Sequence, residues 1–142
     1  MTNNACRDNY FDSPFVYALR VKNEVELSKS QSGGAFYIIS EKFIDAGGVV
    51  YGAYLDSEFV VRHKRAATKK DRDDLRYSKY VQSDLNGIFH SVKYDLKKGH
   101  IVLFAGTPCQ VSGLRAYIGK QYSDQLTTVD LVCHAVPSPQ IW

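Results

Sequence analysis

The sequence predicts an α/β protein with a mixed, mainly parallel sheet flanked by helices in a single domain. Residues 101–105 form a short continuous apolar run, which is typical of a strand buried on both faces, and residues 127–133 form a second β-rich run. Between them, Val111, Leu114 and Ile118 follow helical spacing. This order predicts a right-handed crossover between parallel strands. The length of 142 residues fits one domain.

The N-terminal part of the chain predicts an arm, a strand and a helix. Residues 1–14 are polar and aperiodic, so we expect a flexible N-terminal arm there and the α/β domain over residues 15–142. Residues 15–21 are rich in β-formers and predict a strand. Apolar residues at helical spacing over 36–43 predict a helix that ends at Gly47, because glycine commonly terminates helices.

The middle of the chain predicts two strands, a charged loop and a helix. Residues 49–55 and 59–62 predict strands joined by a short turn. Residues 62–76 are dense in both signs of charge and predict a solvated loop, since mixed charge is costly to bury. A mobile, phosphate-attracting flap is the alternative. Residues 83–98 predict an amphipathic helix that ends at Gly99.

Composition excludes several classes of protein. The sequence contains no run of about 18 apolar residues, so we expect no membrane span. The N-terminus has neither a signal-peptide nor a transit-peptide pattern, so we expect a cytoplasmic protein. A net charge of +3 is too small to indicate nucleic-acid binding. Cysteines at positions 6, 109 and 133 form no Cys-x-x-Cys pair, so any metal they share needs ligands from elsewhere.

Residues 106–110, Gly-Thr-Pro-Cys-Gln, are the most informative local motif. They follow a buried strand and open a helix, with Thr107 as the N-cap, Pro108 at the first helical position and Gln110 at the third, which predicts a capping box. Cys109 then lies in the first turn, where the helix dipole favours a thiolate. A helix cap that carries a small buried thiol is the alternative.

The second β-rich run ends at Cys133 and His134, and Ser138 with the following proline predicts another helix start. In an open parallel sheet, ligands bind beyond the carboxyl ends of the strands, so the crossover predicts that Cys109 and Cys133 lie at the same edge. A histidine in the position of His134, taken by itself, is more often a hydrogen-bonded structural residue. A thiol enzyme that uses Cys109 as its nucleophile, with His134 nearby, is a further hypothesis.

Two other segments predict anion-binding helix starts. Residues 30–34, Ser-Gln-Ser-Gly-Gly, present small residues before a helix, and residues 78–83 add a lysine, two serines and an aromatic ring. Each also has a plain structural interpretation, as a tight turn and as a helix cap. Together with residues 106–110, they indicate a nucleotide or flavin more than a protein ligand.

Five segments in one order resemble the coenzyme F420 hydrogenase/dehydrogenase beta-subunit family, whose relatives include flavin-dependent chlorophyll-modifying reductases. The segments are residues 32–36, 47–53, 78–83, 106–110 and 133–139. The resemblance extends from about Tyr17 to Trp142. It implies an iron–sulfur flavoprotein with FAD and a 4Fe–4S cluster that exchanges electrons with a redox partner protein, a ferredoxin-type domain or coenzyme F420. Family members are longer, so we expect a part of a longer architecture, truncated at the C-terminus.

The resemblance also implies roles for individual residues. Cys109 and Cys133 are the expected cluster ligands or residues beside the flavin, and Cys109 and His134 are the expected catalytic residues. The expected flavin contacts are Ser32, Gly33, Gly34, Lys79, Ser83, Thr107 and Gln110. Ala135 departs from the glycine of many relatives. The predicted function is the flavin-binding part of an oxidoreductase, and the alternative is a non-redox α/β binding or assembly module.

Overall fold

The computed structural model describes residues 15–138 and residue 140. A four-stranded sheet in the order β2-β1-β3-β4 forms its centre. The strands are β1 (Val49–Leu55), β2 (Val61–Ala66), β3 (Val102–Gly106) and β4 (Leu126–Asp130). β1 pairs in parallel with β3, and β3 with β4, whereas β2 pairs antiparallel with β1. The predicted mixed, mainly parallel α/β sheet is confirmed, and the predicted arm and Pro139 lie outside the described residues.

Five α-helices are described, and α2, α4 and α5 supply the apolar cover of the two sheet faces. The helices are α1 (Glu24–Ser28), α2 (Ala35–Asp45), α3 (Lys69–Asp73), α4 (Ile88–Lys97) and α5 (Pro108–Ile118). Alternation along the strands sends Tyr51 and Phe104 to the face under α4 and α5, and Val50 and Leu103 to the face under α2. β3 is buried along its whole length, as its apolar run predicts. Within the described part of the chain, no helix is long and apolar enough to cross a membrane.

Residues 15–21 form no strand, which corrects the prediction made from their β-propensity. Phe15, Val16 and Tyr17 are exposed, and Val21 alone of this segment is buried. The segment is anchored at its end by a hydrogen bond from the Val21 N–H to the Gly33 carbonyl at 2.9 Å. A strand needs a neighbouring strand for its ladder of hydrogen bonds, and propensity cannot supply one.

The charged segment over residues 62–76 is not a solvated loop. Most of it is β2 and the short helix α3, and the side chains of Arg72 and Arg76 are buried. Arg72 contacts Glu41 at 2.7 Å and the Ser40 hydroxyl at 3.2 Å, both on α2. Arg76 reaches Glu26 of α1 at 2.6 Å. Mixed charge is buried here because acceptors from other helices pair with each guanidinium.

Several predicted element ends also differ from the structure. β2 starts later than predicted because the Asp56 carboxylate accepts from the N–H groups of Glu58 and Val60, which extends the turn. α4 begins later than predicted, after its N-cap Gly87, which has a φ of 73° that glycine adopts without strain. β4 ends at Asp130, so Cys133 follows the strand and is not part of it.

Candidate functional site

The carboxyl ends of β3 and β4 meet at one edge of the sheet. Gly106 pairs with Asp130 at the end of the parallel ladder, and the Leu131 N–H donates to the Gly106 carbonyl at 3.0 Å. α2 and α4 each lead through a short connection into β1 and β3, so their N-termini lie at this edge as well. We call it the carboxyl edge. It gathers the starts of three helices, with α2 on one face of the sheet and α4 and α5 on the other.

The start of α5 forms as its motif predicts. Thr107 is the N-cap with extended backbone, Pro108 is the first helical residue, and a capping box is present. The Thr107 N–H donates to Gln110 Oε1 at 3.1 Å. Cys109 is exposed, which excludes the small buried thiol as its explanation, and its Sγ lies 3.1 Å from Thr107 Oγ1. The thiol therefore faces solvent at the positive end of the helix.

Gln110 connects this helix start to residues 78–83. Its Nε2 donates to the Ser83 hydroxyl at 2.8 Å, and both side chains are buried. The two predicted motifs are thus brought together. The Gln110 side chain therefore bonds both to the Ser83 hydroxyl and to the Thr107 N–H, so these buried polar groups are used within the fold.

Lys79 brings a half-buried cation to the same region. Its Nζ donates to the Arg76 carbonyl at 2.5 Å and lies 3.4 Å from the Asp74 carbonyl. Burial lowers the pKa of Lys79 to about 8, and the positive charge of Lys64 acts in the same direction while Asp74 opposes both. The ammonium therefore loses its proton more easily than a solvated lysine does.

His63 is a functional candidate that the sequence analysis missed. It lies on β2, is 6% exposed, and its Nε2 is 3.0 Å from the Ala105 carbonyl, one residue before the end of β3. Its ring stacks on Phe104 with centroids 5.3 Å apart. Nδ1 is buried and has no hydrogen-bond partner among the described residues. The inward position of His63 follows from the alternation of β2, which the charged composition of the segment obscures.

Burial lowers the pKa of His63, and the charge of Lys79 lowers it further, while the hydrogen bond to Ala105 opposes both effects. The imidazole is therefore held neutral, with one nitrogen bonded to the main chain and the other unsatisfied. A buried polar atom without a partner costs free energy, so this nitrogen is a candidate contact for a bound ligand.

Ser32, Gly33 and Gly34 form the turn that starts α2. Ser32 and Gly34 have positive φ values of 50° and 76°. A Cβ on Gly33 would lie 2.0 Å from the Leu19 carbonyl oxygen, so the glycine is required by the close passage of residues 19–21. The turn is at the carboxyl edge, but α2 packs on the face opposite α4 and α5.

Cys133 and His134 follow β4 and are exposed. In residues 15–138 and 140, no three His, Cys, Asp or Glu side chains converge as a metal site would require. A 4Fe–4S cluster takes four ligands, so the donor set of the described residues does not fit one. The candidate residues near the strand ends are thus two exposed thiols, a buried neutral histidine and a half-buried lysine.

Comparisons with known proteins agree with this fold. Residues 99–142 match the family model for the C terminus of the beta subunit of coenzyme F420 hydrogenase/dehydrogenase. No curated protein matches the sequence. A chain from a xenon-derivatised F420-reducing NiFe hydrogenase complex of Methanosarcina barkeri superimposes with a TM-score of 0.67 at 20% sequence identity, covering 85% of this chain and 44% of that chain.

These matches confirm the family resemblance over part of the chain's length. The family segment contains the 106–110 and 133–139 motifs, whereas the three earlier motifs lie outside it. The chain spans less than half of the hydrogenase chain it matches. The matched family and the matched structure are both named for hydrogenases, which are redox enzymes.

Proposed function

We propose that this chain is the flavin-binding part of an oxidoreductase. The proposal is supported by the match of residues 99–142 to the C-terminal model of the coenzyme F420 hydrogenase/dehydrogenase beta-subunit family. In this proposal FAD, when bound, accepts and donates electrons in one- or two-electron steps. The electrons come from or go to a partner protein or a deazaflavin such as coenzyme F420. The observation that carries the proposal is the buried, unpartnered Nδ1 of His63 beside the carboxyl end of β3.

The residues around His63 suit an anionic, planar cofactor. The first turn of α5 has the partial positive charge that favours phosphate or an anionic ring edge. Lys79 adds a cation, and the exposed Thr107–Cys109 contact offers a hydroxyl and a thiol. His63 Nδ1 would accept a hydrogen bond from an N–H or O–H group of the ligand, which removes the cost of its unsatisfied state.

The predicted contacts differ in what they would do. Lys79 and Thr107 are the side chains that would touch the cofactor, whereas Ser83 and Gln110 would act by fixing the start of α5. Ser32, Gly33 and Gly34 would contact it only where it crosses the edge to the face under α2. Cys109 and His134 stay the predicted catalytic pair, with His134 in the segment after β4.

Cys109 and Cys133 stay the predicted thiol ligands of an iron–sulfur cluster. Because the described donor set is incomplete, such a cluster needs further ligands from outside residues 15–138 and 140.

The test is FAD retention. The chain is mixed with FAD, desalted, and its visible absorbance and flavin fluorescence anisotropy are recorded. We expect flavin to stay bound, and Lys79→Met to weaken binding about tenfold, which corresponds to about 1.4 kcal/mol. Lys70→Met is the matched control, because Lys70 is an exposed lysine of α3. Flavin lost on desalting, with anisotropy that does not change on titration, would contradict the proposal.

The alternative is a non-redox binding or assembly module. It is favoured by the internal use of Gln110 and Ser83 and by the packing role of Gly33, none of which needs a cofactor. In that case the wild-type chain ignores FAD, and Lys79→Met and Lys70→Met behave alike.

A further inference from the structure

An open groove of about 740 Å³ lies between α4 and β2. It is near the amino ends of β1 and β3, away from the carboxyl edge. Its lining includes Tyr51, Arg65, Tyr94, Asp95, Lys98 and His100. We call it the α4–β2 groove. Its volume is within the range of about 300–1,000 Å³ that is usual for small-molecule sites.

The floor of the groove is a hydrogen-bonded trio. Asp95 is 4% exposed, and its Oδ2 accepts from the Tyr51 hydroxyl at 2.6 Å and from Arg65 Nε at 2.6 Å. Arg65 Nη2 donates to Oδ1 at 3.1 Å, so the carboxylate is held in two places. Burial opposes ionisation, but the hydrogen bonds from Arg65 and Tyr51 outweigh it and keep the pKa of Asp95 below its usual value.

This trio fixes the orientation of a guanidinium that still faces solvent. The Arg65 side chain is 40% exposed although Asp95 beneath it is buried. Asp95 occupies Nε and Nη2, whereas a guanidinium carries five N–H donors, so the others stay available to the groove. Well-packed apolar residues often stabilise a fold as well as a buried ion pair does. The specific consequence of this pair is a pre-oriented arginine.

The rest of the lining adds one positive charge, that of Lys98. Lys98 is exposed, with Nζ 5.4 Å from the centre of the Tyr94 ring. The His100 N–H donates to the Asp95 main-chain carbonyl at 3.1 Å, which places His100 beside the trio. Asp95 is the one acidic residue of the lining, and Arg65 neutralises it. Lys98 therefore leaves the lining with one excess positive charge.

We propose that the α4–β2 groove binds a small phosphate-bearing ligand, with Arg65 as the principal phosphate-binding residue, Lys98 as a supporting cation and His100 as a further hydrogen-bonding side chain. A guanidinium held in place by a carboxylate suits the oxygen geometry of phosphate, and its orientation is fixed before binding. This site is separate from the flavin site proposed above, and neither depends on the other.

The experiment is a two-dimensional ¹⁵N–¹H NMR titration of the 142-residue chain with inorganic phosphate, at ionic strength held constant with chloride. We expect saturable shifts confined to the Arg65 side chain and the amides of residues 90–100, with a dissociation constant on the order of 1 mM. A parallel titration with adenosine monophosphate separates sources: tighter binding identifies a nucleotide, and equal binding identifies the phosphate group alone. Either result supports the site.

Two variants test the named residues. Lys98→Gln should weaken phosphate binding about threefold, and Arg65→Lys, which keeps the charge but not the fork of donors, about tenfold. Lys97→Gln is the matched control, because Lys97 is an exposed neighbour that does not line this groove. The spectrum without phosphate reports whether each variant is folded.

Lys98→Gln alone decides the matter if Arg65→Lys unfolds the chain. Shifts spread over all surface lysines, or absent at the groove, would overturn the proposal. So would equal affinity in Lys98→Gln, Lys97→Gln and the unmodified chain.

Discussion

The Gln110 side-chain amide donates to the Ser83 hydroxyl at 2.8 Å, which joins two motifs that are 27 residues apart in the sequence. The other end of the same amide accepts from the Thr107 N–H at 3.1 Å. One side chain thus caps α5 and ties it to the segment that precedes α4. The geometry of the carboxyl edge depends on this residue.

Replacing Gln110 should therefore destabilise the protein. Gln110→Ala removes half of the capping box and leaves the buried Ser83 hydroxyl unpaired, so we expect the free energy of unfolding to fall by about 2 kcal/mol. Urea denaturation measures it. Ser112→Ala, an exposed position of α5, should change stability by less than about 0.5 kcal/mol. A double-mutant cycle with Ser83→Ala should show coupling, and additive effects would contradict the assignment.

Arg72 should be among the most sensitive charged residues. Its side chain is 2% exposed and bonds to Glu41, to the Ser40 hydroxyl and to the Tyr37 carbonyl. Arg72→Ala removes a buried side chain and its hydrogen bonds, although Lys69 still pairs with Glu41 at 2.7 Å, so we expect a loss of at least about 2 kcal/mol in unfolding free energy. Arg72→Lys should recover little of it, because lysine lacks the planar fork. Lys70→Ala on the same helix is exposed and serves as the control in the same denaturation experiment.

Gly33 and Gly113 should respond in opposite directions to alanine. A Cβ on Gly33 would lie 2.0 Å from the Leu19 carbonyl oxygen, so we expect Gly33→Ala to cost at least about 1–3 kcal/mol. A Cβ on Gly113 meets Phe89 at an ordinary 3.5 Å within α5, so Gly113→Ala should stabilise by about 0.5–1 kcal/mol. Thermal unfolding of both variants checks the contrast. A neutral Gly33→Ala would mean that residues 19–21 do not pack as described.

Stability should fall on acidification because of His63. Burial, with the charge of Lys79, places its pKa in the folded protein below the unfolded value of about 6.5. Between these two pKa values the unfolded chain binds one more proton than the folded chain, so the unfolding free energy rises with pH in this range. The contribution of His63 to stability is therefore complete above about pH 6.5 and is lost progressively as the pH falls below that value. Urea denaturation from pH 7 to pH 5 measures this slope.

The matched variants for this slope are His63→Phe and His134→Gln. His63→Phe keeps a ring against Phe104 and should flatten the pH dependence. His134 is exposed, and His134→Gln should leave the slope unchanged. A slope that survives in His63→Phe would assign the effect to another group.

Sequence patterns correctly predicted the elements that are stabilised by neighbours along the chain or that are apolar on every side. The limits of β1 agree with the structure, because two buried faces and a preceding glycine mark them in the sequence. The start of α5 was also predicted residue by residue, since a capping box is formed by neighbours along the chain. Residues 15–21 and the charged segment were mispredicted because their structure depends on partners far away in sequence.

The residues of the candidate site likewise fall into those that could be predicted from the sequence and those that could not. Cys109, Thr107 and Gln110 could be placed at a helix start from spacing alone. His63 could not, because its burial arises from the antiparallel pairing of β2 with β1 and from the Phe104 ring on a third strand. The α4–β2 groove has no sequence signature, since Arg65 and Asp95 are 30 residues apart.

The sequence by itself determined the α/β class, the parallel crossover around α5 and the helix start that carries Cys109, because hydrophobic periodicity and capping act between near neighbours. The tertiary structure decided which charges are buried, which strand ends share an edge, and where a polar atom is left unpaired. Those outcomes depend on pairing between distant segments. Each pairing sets the burial, and hence the electrostatic cost, of groups that look alike in the sequence.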